Sequence, residues 1–408
     1  MKPNHFVGLD IGTSTVRCVV GTMDPNSGKP SVIGHGSAPN LGMRKGVVVH
    51  VSDVAEAVVH AITEAERISG FHISRATVNI NGSHVGGINS KGVIAISTAN
   101  RQIAPEDRFR VEEAATVVQL PPNREIIQFF AKNYSVDGQQ NIKDPVGMQG
   151  VRLEVDAHIV MAATPNVRNL ESALEKAEIQ ATHHTVSSLA AAEAVMNRQQ
   201  KEAGTVLLDI GAGTTNLIVV EDGEVQHVAV LPIGGQHITN DLAIGLKTDL
   251  DIAEQVKVQH ATLGKATKAT ANVAVGKLMH TFPMDDLQMI VEARVEELLE
   301  YVEKELHKIK RSRKLPGGVI ITGGTAKLPG LADFAKEKLQ LPARIGKIQE
   351  VGGLVDTVED SSYATVVGLM LLDMLLLPDA PNGKGGGAQK AADSAFGLVE
   401  NLFKRFKK

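Results

Sequence analysis

The sequence contains one pattern twice, and this internal repeat constrains the fold more than any other feature. The two copies are "FVGLDIGTSTVRCVV" (6–20) and "VLLDIGAGTTNLIVV" (206–220). Each copy has apolar, β-branched runs on both sides of a break of small residues, and one acid, Asp10 or Asp209, precedes the break. Runs of this kind predict a strand, a tight turn and a second strand. Two such hairpins, far apart in the chain, indicate two similar domains.

The composition excludes several classes of protein. With 408 residues, 43% of them hydrophobic, the chain is long enough for about two to four structural units. The formal net charge of −4 provides no global field for nucleic acid, so we expect no nucleic-acid partner. The single cysteine, Cys18, excludes an internal disulfide and a cysteine-based metal site. Its place in a β-branched run predicts a buried, inert thiol.

Targeting and membrane-spanning patterns are not evident. The first residues enter a strand pattern at once and lack the cationic start and apolar core of a secretory signal. The longest apolar run, 365–377, is too short to span a bilayer and contains Asp373. We therefore expect a cytoplasmic protein in which this run forms a buried helix.

Strand-like runs rich in Val and Ile alternate with helical patterns, which predicts an α/β fold. One helix is expected at 53–69, with Ser52 as its N-cap and Gly70 as its C-terminal stop. From about 84 to 163 the texture changes to many glycines and short β runs around one helix that begins at Pro105. We interpret this stretch as an inserted subdomain.

The residues of the repeat suit phosphate binding. Turns built from Gly, Ser and Thr bring backbone N–H groups and hydroxyls close to phosphate oxygens, and an acid at the end of the preceding strand can hold a hydrated divalent cation beside them. Two facing copies would hold one polyphosphate from both sides. A third element, at 317–339, is an apolar strand that ends in Gly323 and Gly324 and leads into a helix, which also allows backbone to approach a nucleotide.

Two acid–glycine hairpins followed by a strand with a glycine pair resemble the actin-like ATPase superfamily, which includes actin, sugar kinases and the DnaK-type chaperones. The resemblance implies an actin-like (ribonuclease H-like) fold with two similar large domains around a nucleotide cleft and four subdomains. Further stretches resemble the FtsA family of bacterial cell-division proteins, and they cover residues 42–51, 61–70, 78–97, 144–160 and 233–246.

The FtsA resemblance implies cofactors, partners and a location. The cofactors would be ATP and Mg²⁺. The partners would be the tubulin-like division protein FtsZ, further copies of the chain in a filament, and other division proteins. The location would be the cytoplasmic face of the bacterial cell membrane at the division site.

The same resemblance assigns roles to residues. Asp10 and Asp209 would face Mg²⁺ through water. The phosphates and the neighbouring turn would be contacted by Gly12, Thr13, Ser14, Gly211, Gly213, Thr214, Thr215, Gly234 and Gly235. The ribose would be contacted by Glu254 and Lys257, for which an exposed helix face is the alternative, and the adenosine by Gly323 and Gly324. Asn216 departs from relatives that often have Asp after the Thr pair, so whether ATP is hydrolysed is left open.

The resemblance also divides the chain. The predicted units are 1–83 with 164–202 as the first large domain core, and 359–378 as a candidate return to it; 84–163 as the inserted subdomain; 203–236 with 315–358 as the second large domain core; 237–314 as its smaller subdomain; 379–393 as a flexible linker; and 394–408 as a membrane-binding helix.

The last residues suggest a membrane interface without reference to any family. In "SAFGLVENLFKRFKK", one helical stripe carries the large apolar side chains and the rest carries cations. The residues involved are Phe396, Val399, Leu402, Phe403, Lys404, Arg405, Phe406, Lys407 and Lys408. Anionic membrane lipid is therefore the expected partner of this C-terminal amphipathic helix. A helix docked on its own protein is the alternative, which the preceding glycine-rich linker disfavours.

Three functions remain in comparison. The first is an ATP-dependent filament that tethers FtsZ to the membrane. The second is a small-molecule kinase of the same superfamily, which would need a general base that we do not find outside the two predicted Mg²⁺ acids. The third is an actin-like pilus-assembly protein, which would lack the amphipathic tail. The tail and the 144–160 stretch favour the first.

Overall fold

A computed structural model describes residues 5–24, 28–97, 100–264, 269–276, 278–349 and 351–376. The predicted linker (379–393) and amphipathic helix (394–408) lie outside the described residues. No helix in the described ranges has the length and apolar character needed to cross a bilayer.

The helices and strands alternate along the chain, as an α/β fold requires. The strands are β1 (Phe6–Ile11), β2 (Thr15–Met23), β3 (Pro30–Pro39), β4 (Met43–Arg44), β5 (Val47–Val48), β6 (Arg75–Ile80), β7 (Gly86–Ala95), β8 (Arg124–Val136), β9 (Gln139–Ile142), β10 (Arg152–Ala163), β11 (Gln180–Val186), β12 (Thr205–Ile210), β13 (Thr215–Glu221), β14 (Glu224–Leu231), β15 (Thr270–Val275), β16 (Leu278–Pro283), β17 (Gly318–Thr322), β18 (Ala343–Ile345) and β19 (Gly352–Gly353). The α-helices are α1 (Val51–Ser69), α2 (Pro105–Thr116), α3 (Thr164–Lys176), α4 (Ser187–Val195), α5 (Arg198–Ala203), α6 (Gly235–Gly245), α7 (Leu250–His260), α8 (Met284–Lys308), α9 (Leu331–Leu339), α10 (Val355–Val358) and α11 (Ala364–Leu376). Short 3₁₀ helices span Gly324–Lys327 and Ser361–Tyr363.

The two copies of the repeat form the same substructure in two different sheets. In the six-stranded sheet, ordered β11-β6-β1-β2-β3-β19, β1 pairs antiparallel with β2 and parallel with β6. In the nine-stranded sheet, ordered β18-β17-β12-β13-β14-β7-β10-β8-β9, β12 pairs antiparallel with β13 and parallel with β17. The strands of both hairpins are mostly apolar and mostly buried, although Met23 at the end of β2 is exposed. The predicted strand–turn–strand units are thus present in both copies.

The region predicted as an inserted subdomain differs from the expected short β runs. Its helix does begin at Pro105, but β7, β8 and β10 are 10, 13 and 12 residues long. Glycine does not shorten these strands, because Gly92 packs directly beneath α2, where a Cβ would lie 2.1 Å from the Val111 carbonyl oxygen. One β-strand pair, Ala229 of β14 with Gly86 of β7, joins this part to the strand that follows the second copy of the repeat. The residue boundaries of the units stay predictions.

The predicted start of the first helix is also wrong by two residues. Helix α1 begins at Val51, and its N-cap is His50, which makes no side-chain capping bond. Ser52 instead accepts a hydrogen bond from the Lys176 ammonium group at 3.1 Å. Val51 packs against the core, and that burial offsets the missing cap, which is usually worth about 1 kcal/mol. The predicted end is confirmed, since Gly70 has a φ of 74°.

Helix α11, formed by the long apolar run, packs against the six-stranded sheet at backbone distance. Gly8 of β1 allows this close approach, because a Cβ there would lie 2.3 Å from the Val366 carbonyl oxygen of α11. Gly368 allows an equally close approach to α4, because a Cβ there would lie 1.7 Å from the Ala190 carbonyl oxygen. The buried Asp373 carboxylate fixes the far end of the helix, where it accepts bonds from the Val7 amide at 3.0 Å and the Thr77 hydroxyl at 2.8 Å. The interruption in the apolar run is therefore an anchor.

We expect Gly8→Ala to lower the free energy of unfolding by about 1–3 kcal/mol, as overpacking of a core typically does. The added methyl would lie 2.3 Å from the Val366 carbonyl oxygen and would push α11 away from β1. Urea denaturation checks this. Gly86→Ala is the matched control, since its nearest neighbour, an Arg124 guanidinium nitrogen, is 3.9 Å away. Equal midpoints for the two variants would contradict the tight packing of α11.

A buried histidine joins the inserted strands to β14, the strand that follows the second copy of the repeat. His158 Nε2 accepts the Val228 amide proton at 3.1 Å, and the ring therefore carries its proton on Nδ1, 2.9 Å from Asn89 Oδ1. Burial, helped by the nearby charges of His227 and Lys132, lowers the pKa of His158 to about 3. Protonation would break the bond to Val228.

We expect His158 to make the protein acid-sensitive. Because the folded pKa is below the unfolded value of about 6.5, the stabilisation is complete above pH 6.5 and is lost as the pH falls from there towards 3. Between pH 7 and pH 5 the protein should lose about 2 kcal/mol more unfolding free energy than His158→Gln, which does not titrate. Urea titrations at both values measure this difference. Parallel losses would show that His158 is not the responsible group.

Candidate nucleotide-binding site

A cavity of about 350 Å³ lies between the turns of the two repeat hairpins. It brings together twelve of the fifteen residues predicted to bind a nucleotide. Those lining it are Asp10, Gly12, Thr13, Ser14, Asp209, Gly211, Thr214, Gly235, Glu254, Lys257, Gly323 and Gly324. Residues separated by more than 300 positions in the sequence thus face one space.

The other three predicted residues lie behind the lining. Thr215 is fully buried and donates its hydroxyl proton to the Ile233 carbonyl at 2.8 Å. Gly234 is the N-cap of α6, packed so closely on the second turn that a Cβ would lie 2.6 Å from the Gly211 carbonyl oxygen. Gly213 touches the first hairpin, since a Cβ there would lie 2.9 Å from Thr13 Oγ1. They shape the site through packing.

Both turns are closed by the same bond and leave amide groups available. The Gly12 amide donates to the Thr15 carbonyl at 3.1 Å, and the Gly211 amide donates to the Thr214 carbonyl at 2.9 Å. The amides inside the turns, those of Thr13, Ser14, Ala212 and Gly213, have no hydrogen-bond partner among the described residues. Thr13, Ser14 and Ala212 line the cavity, and unpaired amides at a cavity wall suit an anion with several oxygens.

The first predicted metal-facing acid, Asp10, is held by an amide side chain. Asn79 donates to Asp10 Oδ1 at 2.7 Å and to Ser187 Oγ at 3.1 Å, and its own oxygen accepts the Ile11 amide at 2.7 Å. Burial raises the pKa of Asp10 to about 7, although the Arg17 charge opposes the rise and the Asp209 charge adds to it. Arg17 lies directly opposite Asp10 in the hairpin.

The second acid, Asp209, is held by two donors on one oxygen. Asn216 Nδ2 and Thr365 Oγ1 donate to Asp209 Oδ2 at 3.2 and 3.1 Å. Burial raises the pKa of Asp209, and these two bonds oppose the rise. Asn216 occupies the place in this hairpin that Arg17 occupies in the first. Its Oδ1 atom is buried and has no hydrogen-bond partner among the described residues, so it is an unpaired hydrogen-bond acceptor beside the cavity.

The donor set fits a hydrated divalent cation and not a caged one. No group of three or more His, Cys, Asp or Glu side chains with metal-binding geometry occurs within the described ranges. Two carboxylates on opposite sides of the cavity, with an open acceptor at Asn216, suit Mg²⁺ that keeps its own water shell and contacts phosphate.

Glu254 and Lys257 form an ion pair at one wall of the cavity. The Lys257 ammonium lies 2.6 Å from Glu254 Oε2 and donates to the Thr239 hydroxyl at 2.8 Å and the Gly235 carbonyl at 3.2 Å. The Lys257 side chain is only 18% exposed. Both residues line the cavity, although Glu254 also lies on an exposed helix face, and contact with a ribose stays a prediction.

Several lining residues were missed by sequence reasoning. Arg17 had a signal, namely a charge inside an otherwise apolar strand. The polar residues Asn81, Ser187, Thr325, Lys327, Ser362 and Thr365 had none, because only the fold brings their segments to the cavity. The same holds for an apolar wall made by Ile238, Val258, Leu328 and Pro329.

Solved structures with the same fold support the predicted actin-like class. The PilM–PilN type IV pilus biogenesis complex aligns with a TM-score of 0.65 at 18% identity, covering 90% of this chain and 98% of that chain. MreB5 of Spiroplasma citri bound to ADP aligns with a TM-score of 0.51 at 14% identity, covering 92% and 97%. At such identities the likeness shows the fold alone.

Comparisons of sequence are more specific. The family model described as Cell division protein FtsA matches residues 206–368, and the model described as SHS2 domain inserted in FTSA matches residues 82–161. Cell division protein FtsA of Pseudomonas aeruginosa is 34% identical over 98% of this chain and 97% of its own length. The protein of the same name from Bacillus subtilis is 37% identical over 90% of this chain and 82% of its own length. The chain therefore belongs to the FtsA family of cell-division proteins.

Proposed function

We propose that this protein binds ATP with Mg²⁺, polymerises at the cytoplasmic face of the cell membrane, and tethers FtsZ filaments there through its C-terminal residues. The observation that carries the proposal is the cavity between two copies of one acid–glycine hairpin in a chain of the FtsA family.

The cavity walls suit the parts of ATP. The four unpaired turn amides and the Ser14 and Thr214 hydroxyls match the phosphate oxygens. The apolar wall, which includes Ile238 and Leu328, matches the flat face of a base. Between them lie Glu254 and Lys257, where a ribose would fit. MreB5 of Spiroplasma citri, which has the same fold, has been solved bound to ADP.

Asp10 and Asp209 would hold Mg²⁺ through water. The bound cation would neutralise phosphate charge and the mutual repulsion of two buried carboxylates. Asn79 and Thr365 orient the two acids, and Asn216 Oδ1 is available to a water molecule. An amide cannot act as a general base, so Asn216 provides no base for hydrolysis, and the proposal requires binding and not rapid turnover.

The membrane contact is proposed from the sequence of the last fifteen residues. Each large apolar residue of the stripe contributes roughly 1.5–3 kcal/mol when fully buried, and each nearby cation about 1 kcal/mol on anionic lipid. Ordering a helix from a flexible tail offsets much of this gain. One tail should bind weakly and a filament with many tails firmly, so polymerisation would control membrane residence.

The contact with FtsZ is proposed for the surface within 237–314. This region, which contains α6, α7, β15, β16 and α8, exposes large apolar side chains at Ile244, Leu278, Met279 and Met289. Exposed apolar groups of this kind suit a docking partner. The relatives' family function in cell division makes a division protein the natural partner.

We expect Gly213→Val to weaken ATP binding more than tenfold. The structure gives the reason: a branched side chain at this position meets Thr13 and Lys45 of the opposite side, and it would force the two hairpins apart. Calorimetric titration with Mg-ATP measures the affinity, and circular dichroism checks that the variant is folded. Gly352→Val is the control, since the nearest atom to its Cβ is 3.9 Å away. A folded Gly213→Val protein with parental affinity would reject the two-hairpin site.

We expect the full-length protein to carry FtsZ to the top of a flotation gradient with anionic vesicles and ATP. Phe403→Glu should leave both proteins at the bottom, because it puts a charge in the centre of the apolar stripe. Lys408→Ala is the matched tail variant and should only make flotation slightly more sensitive to salt. Flotation of Phe403→Glu at the parental level, or equal binding of the parent to neutral and anionic vesicles, would refute the membrane proposal. If the parent floats with the vesicles but FtsZ stays at the bottom, the proposed tether is refuted.

A further inference from the structure

Helix α11 is anchored on the six-stranded side of the cleft, and its first turn, like the 3₁₀ helix before it, also bonds to the other side. Its backbone lies on Gly8 of β1 and on Ala190 of α4, and Asp373 ties it to Val7. All of these contacts are with the six-stranded sheet and its helices. In its first turn, however, the Thr365 hydroxyl donates to Asp209 Oδ2, which belongs to the nine-stranded sheet.

The Asp209 carboxylate is restrained on both oxygens. Oδ2 accepts from Thr365 and Asn216, and Oδ1 lies against Gly323, where a Cβ would be 2.5 Å away. Thr365 itself lines the cavity and is only 5% exposed, so water cannot easily replace its hydroxyl.

We propose that Thr365 is a positioning residue for the metal–nucleotide site: its hydroxyl sets the orientation in which Asp209 meets the water shell of Mg²⁺. The inference rests on the proposed nucleotide function and adds a residue to it. Carboxylates that hold a metal depend on such outer partners, whose removal typically costs about 10–100-fold in metal affinity.

The two hydrogen-bond donors to Asp209 differ in whether their bonds depend on the arrangement of the two sides of the cleft. Asn216 lies opposite Asp209 in the same hairpin, so its bond is independent of how the two sides of the cleft are arranged. The bond of Thr365 exists only when the two sides are together. Orientation of the acid is therefore linked to closure of the cleft, and the cation should bind best in the closed arrangement.

The test compares ATP affinity with Mg²⁺ and with EDTA in the full-length protein, by calorimetry or with a fluorescent ATP analogue. The parent should bind more tightly with Mg²⁺. Thr365→Val keeps the shape and removes the donor, and it should reduce the gain from Mg²⁺ about tenfold while the affinity in EDTA stays within about twofold. Thr365→Ser restores the hydroxyl and should restore the gain. Thr365→Ala replaces Thr365→Val if the latter is not soluble.

A merely structural role gives a different result. If Thr365 only supports α11, Thr365→Val should lose ATP affinity by the same factor with Mg²⁺ and with EDTA. Alternatively, it should have a lower melting temperature while the increase in ATP affinity caused by Mg²⁺ stays unchanged. Either outcome overturns the inference, as does a Thr365→Ser protein that behaves like Thr365→Val. A parent that binds no ATP would refute the proposed function itself, whereas a parent with a Mg²⁺ gain that Thr365→Val retains would refute only the role of Thr365.

Discussion

The structure depends on keeping two carboxylates, those of Asp10 and Asp209, nearly out of water on opposite sides of one cavity. Burial of a charge is costly unless donors or an opposite charge compensate it, and here each acid also raises the cost of ionising its neighbour. The protein compensates with Asn79 and Arg17 on one side and with Asn216 and Thr365 on the other. A pocket with two partly compensated acids favours a cation, and its unpaired turn amides favour an anion. A metal complex of a polyphosphate satisfies both.

The two hairpins have the same backbone and different electrostatics. The position opposite the acid is Arg17 in the first hairpin and Asn216 in the second. The first acid is therefore held beside a full positive charge, which also lies over the Tyr363 ring at 5.4 Å. The second depends on neutral donors. The Arg17 charge also lowers the pKa of Asp209, but its effect there is smaller than that of the two hydrogen bonds.

Local sequence pattern was sufficient to predict the elements whose conformation is set by residues close together in the chain. The repeat predicted both hairpins, and twelve of the predicted ligand residues line one cavity. The predicted start of α1 was wrong. The free energy gained from a side-chain cap, about 1 kcal/mol, is smaller than the free energy gained by packing Val51 against the core. The length of β7 was missed because glycine in a strand lowers propensity, whereas here Gly92 of β7 allows α2 to pack closely. Thr365 was unpredictable, since it lies 156 positions from the acid that it contacts.

The position of Thr365 explains why an apolar helix should contain polar residues at both ends. Asp373 accepts the Val7 amide and fixes the far end of α11 to β1, and glycine contacts fix its middle. The helix therefore cannot easily tilt or slide when the two sides of the cleft separate. Separation of the two sides would stretch the 3.1 Å Thr365–Asp209 bond. The neighbouring Ser361 also bonds to Thr322 and Gly323 on the nine-stranded side, so the first turn of α11 and the 3₁₀ helix before it bridge the cleft together. In our proposal, the anchored far end and this bridging segment link closure of the cleft to the orientation of the buried acid.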